Sequence, residues 1–274
     1  MSKTSKAFAD GKAFIPFITA GDPDADSSVN YILAAAEAGA DLIEIGIPFS
    51  DPTAEGPVIQ EADAVALENG MTVNGAFEIV ERVRAVKPDL PLAFMTYINP
   101  VFKYRWDAPK GVETEPYVPF FKRCKAVGID ALILADLPYE EQQEVRAVAD
   151  AFDVDLISMV SPTSEDRIRS IAKDARGFVY IVSSMGVTGV RSEFQYDHIG
   201  RMAQMIRETN PDVKCAVGFG ISKPEQAKEM AALSDGAIVG SAILRMIHAD
   251  PAAAEQNIYD YVKEMKEAVT SAGQ

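Results

Sequence analysis

From one end to the other, the chain alternates apolar segments of strand length with amphipathic segments of helix length. This alternation is typical of βαβ units, in which helices join parallel strands. Eight strands are predicted, at 13–20, 41–47, 91–97, 131–136, 155–160, 178–184, 213–219 and 236–242. Helical patterns are predicted near 25–39, 59–87, 116–127, 139–152, 165–175, 196–209, 223–233 and 251–271.

Eight such units in 274 residues match the (β/α)8 TIM barrel in number and length. An open doubly wound sheet is the rival fold. It would usually carry fewer strands and a glycine-rich dinucleotide turn after the first one, where this chain has TAGDPDADS. No low-complexity linker or block of charge divides the sequence. We therefore predict an α/β barrel forming a single domain over 1–274, with its functional site at the carboxyl ends of the strands.

Composition excludes several classes of protein. The formal net charge of -15 would repel a polyanion, so no nucleic acid partner is expected. No segment reaches the roughly 18 apolar residues of a membrane span, and the first residues lack the apolar core of a signal peptide, so we expect a cytoplasmic protein. Cys124 and Cys215 have no metal-binding spacing, which predicts reduced core residues.

Glycine-containing loops follow the last three predicted strands. Their glycines are Gly186, Gly189, Gly218, Gly220 and Gly240. Ser241 then opens a short helical segment, SAILRMI, whose free N–H groups suit an anion. Any one of these loops is explained equally well by turn glycines and a helix cap. Three together, where many barrels bind phosphate, favour a site for a small phosphate ester, since no nucleotide-binding motif is present.

Glu44 lies inside the second predicted strand, among Ile43, Ile45 and Ile47. Strand alternation places these isoleucines towards the helices and Glu44 inside the barrel. Burial disfavours the charged form of a carboxylate, which would raise its pKa and suit a general acid or base. The alternative is a structural carboxylate paired with a buried hydroxyl or cation.

Glu55 lies in the loop behind this strand, and a loop glutamate taken alone is usually just solvated. Other catalytic constellations have little support. His198 and His248 lie on predicted helices, which does not favour a serine triad or a histidine metal site. No lysine lies inside the sixth predicted strand, and Lys214 lies near the start of the seventh, which is the wrong end for a Schiff-base aldolase.

The segments FIPFITAGDP, IEIGIPFSDPTAEGPVIQ, MTYINPV, LILADLP, SSMGVTGVR, GFGIS and VGSA give the chain a close likeness to a known family. It resembles the tryptophan synthase alpha subunit family over nearly its whole length. The resemblance implies a lyase of tryptophan biosynthesis that splits indole-3-glycerol phosphate into indole and glyceraldehyde 3-phosphate by a retro-aldol reaction, without a cofactor in this chain.

The resemblance also implies roles for individual residues. Glu44 matches the principal acid and base, with Tyr180 hydrogen-bonding near it. Glu55 stands where the family has an aspartate that binds the indole N–H, and its arm is one methylene longer. We expect the loop backbone to compensate; the alternative is reduced turnover. Further matching positions, in the indole slot, the lid and the phosphate site, are Phe17, Tyr97, Ile133, Ala135, Phe219, Thr188, Gly189, Gly220, Gly240 and Ser241.

A partner is implied as well. Family members form αββα heterotetramers with a beta subunit that carries pyridoxal phosphate, and Asp51 and Pro52 match the contact segment. The chain departs from the family's usual pattern in two places. The segment before the first predicted strand is short, and the loop after the third predicted strand, which holds Trp106, is long. The alternative function, motivated by Glu55, is a catalytically weak subunit that mainly binds and activates the beta subunit.

Overall fold

A computed structural model describes residues 3–106, 115–183, 193–218 and 220–272. Eight parallel strands close into a barrel in chain order, and the last pairs with the first. They are β1 Ala13–Thr19, β2 Ile43–Gly46, β3 Leu92–Thr96, β4 Ala131–Leu134, β5 Asp155–Val160, β6 Phe178–Val182, β7 Lys214–Gly218 and β8 Gly236–Val239. The prediction of a (β/α)8 barrel is confirmed.

The α-helices form the outer layer. In the described residues they are α1 Lys3–Lys6, α2 Ala25–Glu37, α3 Pro57–Glu68, α4 Val73–Val86, α5 Ile98–Lys103, α6 Val118–Val127, α7 Gln142–Ala151, α8 Glu165–Asp174, α9 Glu193–Thr209, α10 Pro224–Leu233, α11 Ser241–Ala249 and α12 Ala254–Ser271. Helix α1 precedes β1 and the others follow the strands, and a short 3-10 helix, Tyr139–Glu141, precedes α7. None of these helices has the length and apolarity that crossing a membrane requires.

The prediction of one continuous helical segment at 59–87 is wrong, because this range contains two helices, α3 and α4. Gly70 between them has a φ of +83°, a left-handed conformation that an α-helix cannot continue through. The side chain of Thr72 then caps α4 by accepting a hydrogen bond of 3.1 Å from the Gly75 N–H. Hydrophobic periodicity resumes after the turn, so the pattern alone does not show the break.

The loop after β3 also differs from its prediction, because it contains α5. Tyr97 precedes this helix, and the N–H of Ile98 donates to Asp136 Oδ1 at 2.8 Å. A six-residue helix is too short to show an amphipathic period. Its effect is to fix Tyr97 at the carboxyl end of β3, next to the loop that follows β2.

Strand register brings side chains from neighbouring strands to one level of the barrel. Glu44 on β2 pairs with Phe17 on β1 and with Ala93 on β3. Ile43 and Ile45, on either side of Glu44, are fully buried, and alternation turns them towards the helices. Glu44 therefore projects inward, as its position in the sequence predicts.

Candidate active site

A cleft of about 840 Å³ opens at the carboxyl ends of the strands. Its lining includes the predicted site residues Phe17, Glu44, Glu55, Tyr180, Gly220, Gly240 and Ser241. The remaining lining residues, which the sequence did not single out, are Gly56, Ile59, Met95, Ile221, Ser222, Ile238 and Arg245. Two carboxylates, two aromatic rings and the start of α11 thus share one cavity.

The other predicted site residues either do not line this cleft or lie outside the described part of the chain. Ile133 is fully buried and does not line the cleft. Ala135 lines a separate cavity of about 510 Å³ beside β4 and β5. Thr188, Gly189 and Phe219 lie outside the described residues.

Glu44 is buried among apolar strand residues, with 1% of its surface exposed. Neither of its carboxylate oxygens has a hydrogen-bond partner among the residues that the structure describes, Tyr180 included. Burial raises the pKa of Glu44 well above 4.5, and the nearby charge of Glu55 raises it further. A structural carboxylate would have a partner, so the geometry favours a proton donor held neutral in its resting state.

Glu55 reaches the same cavity from the loop after β2, and its Oε2 atom is buried without a partner among the described residues. Burial raises the pKa of Glu55 from 4.5 to about 7. Near neutral pH this carboxyl is therefore divided between its two protonation states. Its environment differs from that of Glu44, and such pairs of titratable groups often divide acid and base roles.

The loop carrying Glu55 is tied to the barrel at several points. The N–H of Ala54 donates to the hydroxyl of Tyr97 at 3.0 Å. The ring of Tyr97 lies 5.2 Å from that of Phe49, measured between centroids. Gln60 Nε2 donates to the carbonyl of Glu55 at 2.8 Å. Tyr97, predicted for the indole slot, thus holds the loop in place and is absent from the cleft lining.

Asp63 on α3 is a buried carboxyl that the sequence did not reveal as part of this region. It accepts a hydrogen bond from the backbone of Phe49. Burial, followed by the charges of Glu55 and Asp22, raises the pKa of Asp63 from 3.8 to about 7. The only signal in the sequence was the position of this acidic residue between Ala62 and Ala66, two alanines that the structure shows to be buried.

Two aromatic side chains of the cleft occupy space that glycines leave open. A β-carbon at Gly46 would lie 2.5 Å from Cζ of Phe17, so the Phe17 ring lies across β2. The Tyr180 hydroxyl lies over Gly218 in the same way. Burial raises the pKa of Tyr180, as do the charges of Glu44 and Glu55. Tyr180 is therefore a neutral hydroxyl near both carboxyls.

The cleft is also lined by the loop after β7 and by the start of α11. Gly220 has a φ of +72°, which favours glycine. Gly240 precedes α11, and Ser241 begins this helix of nine residues. Free N–H groups and the positive end of the helix dipole favour an anion here. The described residues contain no cluster of histidine, cysteine or carboxylate side chains suited to a metal ion.

Comparison with known proteins gives a consistent result. The sequence model of the tryptophan synthase alpha chain family matches residues 4–270. The tryptophan synthase alpha chain of Lacticaseibacillus casei is 43% identical over 269 residues, which is 98% of this chain and 96% of the relative. That of Alkaliphilus metalliredigens is 45% identical over 240 residues, 88% of this chain and 85% of the relative.

A solved structure agrees with these relatives. Tryptophan synthase subunit alpha from Legionella pneumophila superposes with a TM-score of 0.85 at 31% identity, covering 99% of both chains. Unrelated barrels share the architecture alone, whereas these proteins also share a large fraction of their sequence with this chain. The chain belongs to the tryptophan synthase alpha chain family.

Proposed function

We propose that this chain cleaves indole-3-glycerol phosphate to indole and glyceraldehyde 3-phosphate. The observation that carries the proposal is Glu44, a buried carboxyl without a partner among the described residues, facing the cleft from an apolar strand. Because burial raises its pKa, its protonated form is favoured and it can act as a general acid.

The reaction needs one proton delivered and one removed. The protonated Glu44 gives its proton to C3 of the indole ring, and the resulting Glu44 carboxylate takes the proton of the hydroxyl group adjacent to the scissile bond. The carbon–carbon bond then breaks, its electrons return to the indole ring, and the former hydroxyl carbon becomes the aldehyde carbonyl. Glu44 ends in the protonation state in which it began.

Glu55 supplies the negative charge that the intermediate requires. Protonation at C3 leaves positive charge on the indole nitrogen, and an ionised Glu55 stabilises it through a hydrogen bond from the indole N–H. This interaction strengthens as charge develops, which is the condition for accelerating the step. Phe17 and Ile59 line the same cavity and exclude water, so charges act more strongly there than in solution.

A beta subunit is the proposed partner, in an αββα heterotetramer in which the beta subunit holds pyridoxal phosphate and receives the indole. Asp51 and Pro52, in the proposed contact segment, belong to the same loop as Glu55. Contact there would act directly on the position of a catalytic carboxyl. We also propose a cytoplasmic location, which the two unpaired buried cysteines support.

The test is a steady-state assay of indole release from indole-3-glycerol phosphate, with the chain alone and with an added beta subunit. We expect measurable release that the beta subunit increases. A negligible rate that stays negligible with the beta subunit, while that subunit itself becomes more active, would replace the lyase with the alternative of an activating subunit.

A further inference from the structure

We infer that Arg245 binds the phosphate group of the substrate and selects for a dianionic ligand. The inference rests on the proposed function and assigns a specificity-determining residue to it. Arg245 lies on α11, its side chain is exposed, and it lines the cleft together with Gly240 and Ser241.

The geometry of α11 directs Arg245 towards the anion end of the cleft. Residues four apart lie on the same face of a helix, so Arg245 stands one turn behind Ser241. Side chains on a helix tilt towards its N-terminus. This tilt directs the Arg245 side chain back towards the start of α11, which is the positive end of the helix dipole.

The arginine is available for a ligand. It has no hydrogen-bond or ion-pair partner among the described residues, whereas most of the other described arginines do. Arg245 is also the only cation in the described lining of the cleft, which contains the carboxyls of Glu44 and Glu55. A dianion entering a protein of net charge -15 needs such a group to offset the repulsion.

The neighbouring helix does not supply this compensation. At the start of α10 the N–H groups of Ser222 and Lys223 donate to Oε1 of Gln226, at 3.0 and 3.2 Å. The carbonyl of Ser222 accepts a hydrogen bond of 3.0 Å from the Tyr261 hydroxyl. This wall of the cleft is thus fixed by its own hydrogen bonds. Charge for the phosphate comes from α11 and from Arg245.

The placement of charge also orients the substrate. Arg245 lines the cleft from α11, whereas the two carboxyls line it from β2 and from the loop that follows β2. A phosphate is attracted to Arg245 and to the start of α11, and it is repelled by the ionised form of Glu55. The indole ring is thereby directed towards Glu44 and Glu55, where the chemistry takes place.

The experiment compares Arg245→Gln, Arg245→Lys and the control Lys228→Gln, which removes an exposed positive charge from α10 outside the cleft. Each is assayed with the beta subunit for kcat and KM on indole-3-glycerol phosphate. The inhibition constant of inorganic phosphate is measured at two ionic strengths. For Arg245→Gln we expect both KM and the inhibition constant to rise about tenfold, with kcat changed less than about threefold, because a charge-assisted contact to phosphate is lost.

Arg245→Lys should recover most of the affinity, and Lys228→Gln should match wild type. The ionic-strength dependence of phosphate inhibition should weaken only in Arg245→Gln. If Arg245→Gln stays within twofold of Lys228→Gln in both constants, the inference is wrong. If the proposed function is wrong, the wild-type protein releases no indole. The affinity for inorganic phosphate, measured by calorimetric titration of wild type and Arg245→Gln, then still tests the role of Arg245.

Discussion

The hydroxyl oxygen of Tyr180 occupies the place that a side chain at residue 218 would need: a β-carbon built on Gly218 would lie 2.1 Å from it. Tyr180 and Gly218 belong to the paired strands β6 and β7. Because residue 218 has no side chain, the ring of Tyr180 can lie across β7 while it lines the cleft. The position of the hydroxyl relative to Glu44 and Glu55 depends on this missing methyl group.

We expect Gly218→Ala to displace the Tyr180 ring and to reduce kcat for indole release by about 10²-fold, since shifts of about 1 Å near reacting groups have that cost. Overpacking should also lower the free energy of unfolding by about 1–3 kcal/mol. Gly200→Ala in α9 is the matched control, because its β-carbon would make only an ordinary contact, 3.5 Å from Leu233. Equal activity of the two variants would contradict the role given to Gly218.

Much of this arrangement follows from the sequence. Strand periodicity places Glu44 inside the barrel, and the order of apolar segments predicts all eight strands. The three-dimensional environment of Asp63 and Arg245 does not follow so directly. Asp63 becomes buried because a loop folds back onto α3, and periodicity does not describe loops. Arg245 had a signal, its spacing of four from Ser241, but that spacing points to the cleft only when the direction of α11 is known.

Glu44→Gln should abolish cleavage, with kcat lower by at least about 10³-fold, because the amide keeps the shape of the side chain and cannot exchange the proton. The affinity for inorganic phosphate should stay within twofold of wild type, since the residues proposed to hold the phosphate belong to α11 and the loop before it. Exposed Glu68→Gln on α3 serves as the control for loss of a carboxyl. Activity of Glu44→Gln within tenfold of wild type would remove Glu44 from the mechanism.

The pH dependence of kcat/KM follows from the two carboxyls. Glu55 acts ionised and its pKa is about 7, so the rate should rise tenfold per pH unit below this value and level off above it. Glu44 acts protonated, and burial raises its pKa, so activity falls again on the alkaline side. Initial rates measured from pH 5 to 10 should therefore give a bell-shaped profile of kcat/KM against pH. A rate that is flat between pH 5 and 7 would contradict the ionised role of Glu55.

Asp63→Asn should shift the acid limb of that profile to lower pH. The charges of Asp63 and Glu55 repel each other, so removing one makes ionisation of the other easier. The asparagine oxygen can still accept the hydrogen bond from the Phe49 backbone, which preserves the loop. An unshifted profile in a folded variant would show that the two carboxyls do not interact.

The same substitution should change how stability depends on pH. Burial raises the pKa of Asp63 from 3.8 to about 7, so the folded protein holds a proton that the unfolded chain has lost between these values. The contribution of Asp63 to the free energy of unfolding is therefore largest below about pH 3.8, and it declines as the pH rises to about 7. Urea unfolding at pH 5 and pH 8 should show a smaller difference for Asp63→Asn than for wild type.

Glu55→Asp tests whether the loop has adapted to the longer side chain. Hydrogen bonds from Ala54 to Tyr97 and from Gln60 to the Glu55 carbonyl fix the backbone on both sides of this residue. The shorter arm would therefore withdraw the carboxylate from the cleft by more than about 1 Å, and we expect kcat to fall about 10²-fold with little change in KM. Glu68→Asp on the surface of α3 should have no effect. Unchanged or faster turnover in Glu55→Asp would show instead that the loop leaves room for the carboxyl to approach, and that glutamate at this position limits the wild-type rate.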